Sequence, residues 1–466
     1  MSLKSLIITG LFCFISPFTY ANDHSIPPLS LYWTIPFIVI IFAIALLPIL
    51  ISTIWHRHYG KIIGGCSLLF IIAYGWQFGL LAITHLICHT VLIEYIPFII
   101  LLAALFTVAG GILIEGNFNG SPKHNMLLLA IGTFLASVMG TTGAAMLMIR
   151  PIISANKQRQ YRVHTIIFFI FLVANIGGGL TPLGDPPLFI GFLNGVDFIW
   201  TLKHMSLPVL INTALLLILF YNIDGYYYRK DCQRLLSKPT LSLTIKGKTN
   251  FIILFAIIVT ILATSVWQSD ISINILGTTL TLPNIIRDMI LVILTLLSLM
   301  TSKSIREQNQ FNWQPIIEVA KLFIGIFITI SPVIAILKMG KEGSLSNIIS
   351  LVTNDYGEPI NLMYFWLSGL LSGFLDNAPT YLVFFNLASG SANFLMQSLP
   401  TTLLAISMGS VFMGALTYIG NAPNFMVKSI AEQSGFDMPS FFGYMRWSIG
   451  LLMPIFLIDS LLFFIL

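Results

Sequence analysis

Asp185 and Asp376 each stand inside a long apolar stretch, 163–193 and 361–388. A carboxylate at the depth of a bilayer centre costs at least ~2.5 kcal/mol, so such a residue is retained for what it binds. A proton or a small cation would remove the charge. Neutral oxygens lie on related segments: Thr141 and Thr142 within 125–149, Thr181 just before Asp185, Asn377 beside Asp376, and Thr417 and Asn421 within 400–431. One carboxylate among hydroxyl and amide oxygens is a hard donor set that suits Na⁺ or another small cation, with H⁺ as its competitor.

Such residues need elements that hold polar groups inside a membrane. Of the 466 residues, 56% are apolar and 9% are charged, with a mean hydropathy of +0.90. A soluble domain carries about a quarter of charged residues, so a set of soluble domains is excluded. The net charge of +5 is small and confined to loops, which excludes a nucleic-acid-binding or disordered chain. The composition predicts an all-α polytopic membrane protein, with the lipid bilayer as its partner. Spans of near-bilayer length fall at 34–54, 62–78, 93–113, 163–193, 206–224, 250–267, 284–301, 316–337, 400–431 and 446–466. The stretches 125–149 and 361–388 have Gly, Pro, Asn or Asp at their centres and read as re-entrant hairpins. About ten spans plus two hairpins result.

Residues 1–21 have a basic start, an apolar middle and a small residue at Ala21, the pattern of a signal peptide. With Asn22 outside, 17 Lys and Arg fall in inner loops and 4 (Lys203, Arg287, Lys338 and Lys341) in outer ones. That asymmetry requires both hairpins to be re-entrant, the first from the cytoplasm and the second from the exterior. The expected location is the inner membrane, with the basic linker 226–249 cytoplasmic. Cys13, Cys66, Cys88 and Cys232 form neither a disulfide framework nor a zinc spacing.

An internal repeat divides the chain into 22–225 and 250–466. Residues 178–190 align on 414–426 without gaps, with six of thirteen positions identical. Asp185 then pairs with Asn421, and a similar offset sets Asp376 against Thr141. Each half has a hairpin followed by a helix broken mid-membrane, 163–193 or 400–431, and the halves have opposite orientation. Gly184, Pro186 and Pro187 in one break, and Gly420 and Pro423 in the other, cannot continue a helix comfortably. If each hairpin tip meets its own half's break, one cluster holds Thr141, Thr142, Thr181 and Asp185. The other then holds Asp376, Asn377, Thr417 and Asn421.

Other polar residues are weaker candidates. Glu318 and Lys321 lie one turn apart and read as a local pair, and Asp459 in the last span is left open. His85, Cys88 and His89 read as an interfacial stretch rather than a metal site, and Glu94 and Glu115 as span ends. The two intramembrane aspartates do not form a protease dyad. Asp185 follows Pro182-Leu183-Gly184 and Asp376 follows Phe374-Leu375, which lack the Gly-x-Gly-Asp and Tyr-Asp patterns. No enzyme activity or cofactor is expected.

At GTTGAA (140–145), GGGLTPLGDPPLFIG (177–191), GFLDNAPT (373–380) and GALTYIGNAPN (414–424), the chain resembles the ion transporter superfamily. That group includes divalent-anion/sodium symporters, citrate transporters, arsenite pumps and NhaD-type sodium/proton antiporters. The resemblance covers nearly the whole chain after residue 30 and is strongest to the citrate-transport or sodium:proton-antiporter branch. It implies a homodimer in which a transport domain moves as an elevator against a scaffold. It also implicates Thr141, Thr142, Asp185, Asp376, Asn377, Thr417 and Asn421 in the site. Carboxylate symporters carry Ser-Asn-Thr at the hairpin tips, whereas the tips here read Gly-Thr-Thr-Gly and Asp-Asn-Ala-Pro. The expected function is therefore secondary active sodium/proton antiport. The alternative is sodium- or proton-coupled transport of citrate or a dicarboxylate.

Overall fold

The computed structural model describes residues 29–116, 120–231, 243–267, 269–340 and 343–465. The expected signal peptide 1–21 and the centre of the linker, 232–242, lie outside the described residues. The chain is an all-α polytopic membrane protein. Among the described residues, eight helices are long and apolar enough to cross a bilayer. Shorter apolar helices supply the rest.

The long helices begin with α1 (Ile35–Leu50), α2 (Ser52–Phe78) and α3 (Leu80–His89), which continues through a π turn into α4 (Ile96–Gly110). After these come α5 (Pro122–Met139) and α6 (Thr141–Asn156), which pack against each other across a single-residue break. The expected hairpin 125–149 is this pair, a few residues longer at each end. Gly140 makes the turn with φ +81°, a region open to glycine and strained for other residues.

The expected broken helix 163–193 consists of α7 (Val163–Leu172), a 3₁₀ turn (Ile176–Gly179) and α8 (Pro186–Leu193). The α7 sequence VHTIIFFIFL is apolar on almost every side, so it has no face suited to water, and every residue after Val163 is buried. Pro186 starts α8 at a position where the missing N–H costs nothing, which is why the helix resumes directly after Asp185.

The following helices are α9 (Phe198–Asp231), α10 (Lys248–Val266), α11 (Leu282–Leu299) and α12 (Gln314–Lys338). Strand β1 (Leu113–Gly116) pairs antiparallel with β2 (Leu243–Lys246), joining the end of α4 to the linker just before α10. A second small ladder, β3 (Ser272–Ile275) with β4 (Thr278–Thr281), closes the α10–α11 connection.

The second hairpin is α13 (Asn361–Leu375) and α14 (Asn377–Ala388). The second broken helix is α15 (Pro400–Phe412), a 3₁₀ turn (Met413–Leu416) and α16 (Ala422–Gln433), followed by α17 (Phe441–Ser460). Helix α13 lies along α15, α14 packs on α8, and α6 packs on α16, so each hairpin touches the broken helix of the other half.

The hairpin turns correct the repeat register by one residue. Gly140 (φ +81°) and Asp376 (φ +100°) occupy the same position before their helices, so Asp376 matches Gly140 and Asn377 matches Thr141. The hairpins and the broken helices then share one offset, as Asp185 still matches Asn421. Asp376 is a side-chain-bearing residue in a backbone region that favours glycine, and strain of this kind concentrates at functional tips.

Candidate functional site

Four helices start at one point. The N-termini of α6 and α14 bring Thr141 and Asn377, and Asp185 and Asn421 are the residues just before α8 and α16. All four are buried. The Thr141 hydroxyl donates to Asp185 Oδ1 at 2.9 Å and Asn421 Nδ2 donates to the same oxygen at 3.0 Å. Asn377 Nδ2 donates to Asp185 Oδ2. The two expected clusters are therefore one, centred on Asp185, because Asn377 and Asn421 reach across from the second half. The positive ends of four helix dipoles lie against this carboxylate.

The turn is packed closely enough to fix these distances. Thr141 N–H donates to Gly184 O at 2.8 Å, pinning the hairpin tip to the break. A Cβ on Gly178 would stand 2.6 Å from Thr141 Cγ2 and 2.8 Å from Asp185 Cβ, so only glycine lets the break approach the tip.

Two expected ligands face elsewhere. The Thr181 hydroxyl donates to Ser137 O at 2.5 Å and accepts from Leu183 N–H. Thr417 does the equivalent, donating to Gly373 O at 2.5 Å and accepting from the Ile419 and Gly420 amides. Both hold a broken loop to the arm of its own hairpin. Thr142 is half-buried on the wall of a cavity of about 30 Å³ that reaches Asp185 between α4 and the first tip. Leu101, Leu105, Phe106 and Ile316 form its apolar side, and its size suits a water or an ion. Asp376 is half-buried, and its Oδ1 accepts from Ala378 N–H at 3.2 Å, capping α14.

Two asparagines missed in the sequence complete the centre. Asn175 Nδ2 donates to Asn424 Oδ1 at 2.8 Å, and Asn424 Nδ2 donates to Gly414 O and Thr417 O, both at 2.9 Å. Asn421 also donates to Ala174 O at 3.0 Å. The two breaks are thus tied by amides. The available signal was an asparagine beside each glycine-rich break, in VANIGGG (173–179) and at the end of GNAPN (420–424).

The chemistry of the centre rests on two features. Among the described residues, Asp185 has no ion pair with any Lys, Arg or His. The basic residues on the helices that start at the centre, Arg150 of α6 and Lys428 of α16, are engaged elsewhere, Arg150 with Gln308 O and Gln310, and Lys428 with Glu432. In addition, Asn377 Oδ1 is buried without a hydrogen-bond partner although its own Nδ2 bonds Asp185. A buried acceptor left open beside an uncompensated carboxylate matches a place for a cation. Among the described residues no cluster of three or more His, Cys, Asp or Glu could hold a metal ion, and His85 and His89 only stack, 6.4 Å apart.

The chain is similar to a "46 kDa membrane protein" of Mycobacterium leprae, 24% identical over 340 residues that cover 71% of this chain and 75% of the other. Uncharacterized transporters of Mycobacterium bovis and Mycobacterium tuberculosis are each 23% identical over 322 residues, covering 68% of this chain and 71% of theirs. The chain is a membrane transporter, and it belongs to the family described as "Putative citrate transport", which matches residues 26–464.

Proposed function

We propose that the protein is a secondary active sodium/proton antiporter in which Asp185 alternately holds Na⁺ and H⁺. The observation that carries this reading is the uncompensated buried carboxylate with the open Asn377 Oδ1 at its side. When Na⁺ is bound, Asp185, Asn377 Oδ1 and the Thr141 hydroxyl oxygen are its nearest available donors. When it leaves, a proton neutralises the same carboxylate, so inward proton flow drives sodium out. Asp376 at the second tip is a further acid of the site, with Thr142 on the entry wall and Thr181 and Thr417 as supports of the moving loops.

The rest of the mechanism follows the repeat. The two hairpins and two broken helices move as one body against the remaining spans, in an elevator-like alternation within a homodimer of the inner membrane. The N-terminus is outside and the linker 226–249 cytoplasmic. Because Asn377 and Asn421 both bond Asp185, the two halves move together or the site comes apart.

The family description favours a second reading, sodium- or proton-coupled transport of citrate or a related carboxylate. Converging helix N-termini are also suited to an anion. In this structure they are occupied by the chain's own carboxylate, which would repel a second one unless sodium intervened. Proteoliposomes separate the readings. Antiport predicts a sodium-driven internal pH change without citrate and no labelled citrate uptake. Citrate uptake that requires Na⁺, with no pH change in its absence, would replace the antiport reading.

A further inference from the structure

Asp459 is a second buried carboxylate that the site above does not use. It lies at the end of α17 with no exposed surface, and its side-chain oxygens accept from Asn212 Nδ2 on α9 at 2.9 and 3.0 Å. That same nitrogen also donates to Pro208 O at 2.9 Å. Asn212 is itself fully buried, and its Oδ1 has no hydrogen-bond partner. A carboxylate and an open amide oxygen therefore face one another's surroundings with one shared N–H between them.

Nothing nearby neutralises the charge. Among the described residues, Asp459 makes no ion pair. Helices α13 and α15 and the turn 461–465 carry no Asp, Glu, Lys, Arg or His, and Tyr364 is the one titratable residue among them. On α9, Lys203 and His204 are about two turns from Asn212 on one side, with Tyr221 and Asp224 at about two and three turns on the other. On α17, Arg446 and Tyr444 are more than three turns from Asp459. A lone acid in such surroundings is kept neutral by a bound proton or cation.

We propose that Asp459, positioned by Asn212, is a second proton-binding site of the transport cycle, loaded from the external side. On the topology proposed above it stands at the outer end of the last span. The same two helices pack on the central breaks. Val209 of α9 lies against Gly179, and Tyr444 and Ser448 of α17 donate to Ala415 O and Leu416 O at 2.8 and 2.6 Å. Protonation at Asp459 is thus felt by helices that touch both breaks. The external loading rests on the topology proposed above and the stoichiometric part on the antiport reading; the proton-binding site itself rests on neither.

Two measurements on the full-length protein test it. The first is infrared difference spectroscopy without sodium, comparing wild type with Asp459→Asn. The proposal expects a protonated-carboxyl carbonyl band that is absent in the variant, is restored in Asp459→Glu and disappears reversibly as external pH rises. No band difference, or one indifferent to pH, overturns the site even if antiport is also wrong. Should Asp459→Asn fail to fold, Asn212→Ala decides, because it keeps the acid and removes its partner. It should move the pH at which the band disappears, and an unmoved midpoint counts against the proposal. The second measurement counts protons per sodium ion in proteoliposomes. Asp459→Asn should exchange about one proton fewer for each turnover while still moving sodium. An unchanged count would confine proton coupling to the Asp185 centre and overturn the second site.

Discussion

Thr141→Val removes one hydroxyl and changes little else, which makes it a sharp probe of the centre. The hydroxyl donates to Asp185 Oδ1 at 2.9 Å, both residues are 2% exposed, and the methyl that packs toward Gly178 is retained. A hydrogen bond to a charged group contributes about 1.5–3 kcal/mol, and a protonated carboxyl accepts more weakly. On the proposed antiport reading, sodium-bound Asp185 is ionised and sodium-free Asp185 carries the proton, so the loss falls mainly on the sodium-bound form. At a tenfold change per 1.4 kcal/mol, apparent sodium affinity at fixed pH should weaken by roughly 10- to 150-fold. The assay is sodium titration of intrinsic fluorescence or of proton release on purified protein. Thr142→Val is the control, since Thr142 is half-buried on the cavity wall and its hydroxyl makes no hydrogen bond within the described structure. Its sodium affinity should stay within about threefold, the scale of an ordinary surface substitution. Equal effects at the two threonines, or a larger one at Thr142, would refute the assignment of Thr141 to the shell of Asp185.

Three further outcomes follow from other parts of the molecule. Arg159 bonds Asp224 at 2.5 Å and Asp231 at 3.3 Å in a buried cluster with His164 and Asn125, so Arg159→Ala should cost about 3–5 kcal/mol in thermal or denaturant unfolding in detergent. Gly140→Ala forces a side chain onto φ +81° and should destabilise by about 1–3 kcal/mol while weakening sodium binding, because Thr141 is the next residue. A cysteine replacing Lys157 should react only with reagent on the cytoplasmic side and one replacing Tyr356 only from outside; with the N-terminus outside, labelling of the Lys157 position from outside would overturn the re-entrant reading of the first hairpin.

Much of the architecture is legible because its signals are local. Gly140 and the Asp376 tip interrupt apolar stretches, and Pro186 and Pro423 sit at the first turns of α8 and α16. Hydropathy therefore locates the hairpins and breaks to within a few residues. Several expected spans are parts of longer helices: 62–78 lies within Ser52–Phe78, 206–224 within Phe198–Asp231, and 93–113 is the second part of a rod that begins at Leu80 and passes through a π turn. Asp185 stands out in the sequence because an acid in an apolar stretch has few structural uses, and the structure buries it. Of its partners, Thr141 is already grouped with it by the sequence, whereas Asn377 and Asn421 lie 192 and 236 positions away and their approach depends on how two halves interlock. The same limit explains Thr181 and Thr417. Sequence presents them as oxygens beside the break, but only the backbone path reveals that a hairpin carbonyl is nearer than the carboxylate. The one-residue shift that pairs Asp376 with Gly140 rests on positive φ at both tips, which an aspartate conceals.

The central claim is that one carboxylate serves both ions, and proton release tests it most directly. Purified protein in weak buffer without citrate receives a pulse of NaCl, with choline chloride as the control. Wild type should release protons on sodium binding, and the release should shrink as the starting pH rises and fewer carboxyls are loaded. Asp185→Asn keeps the size of the side chain and can still hydrogen-bond Thr141, but it cannot exchange a proton for sodium. It should fold, insert and release nothing. Sodium-evoked release of undiminished size from Asp185→Asn would contradict the account and move the exchanging group away from the centre where the four helices meet.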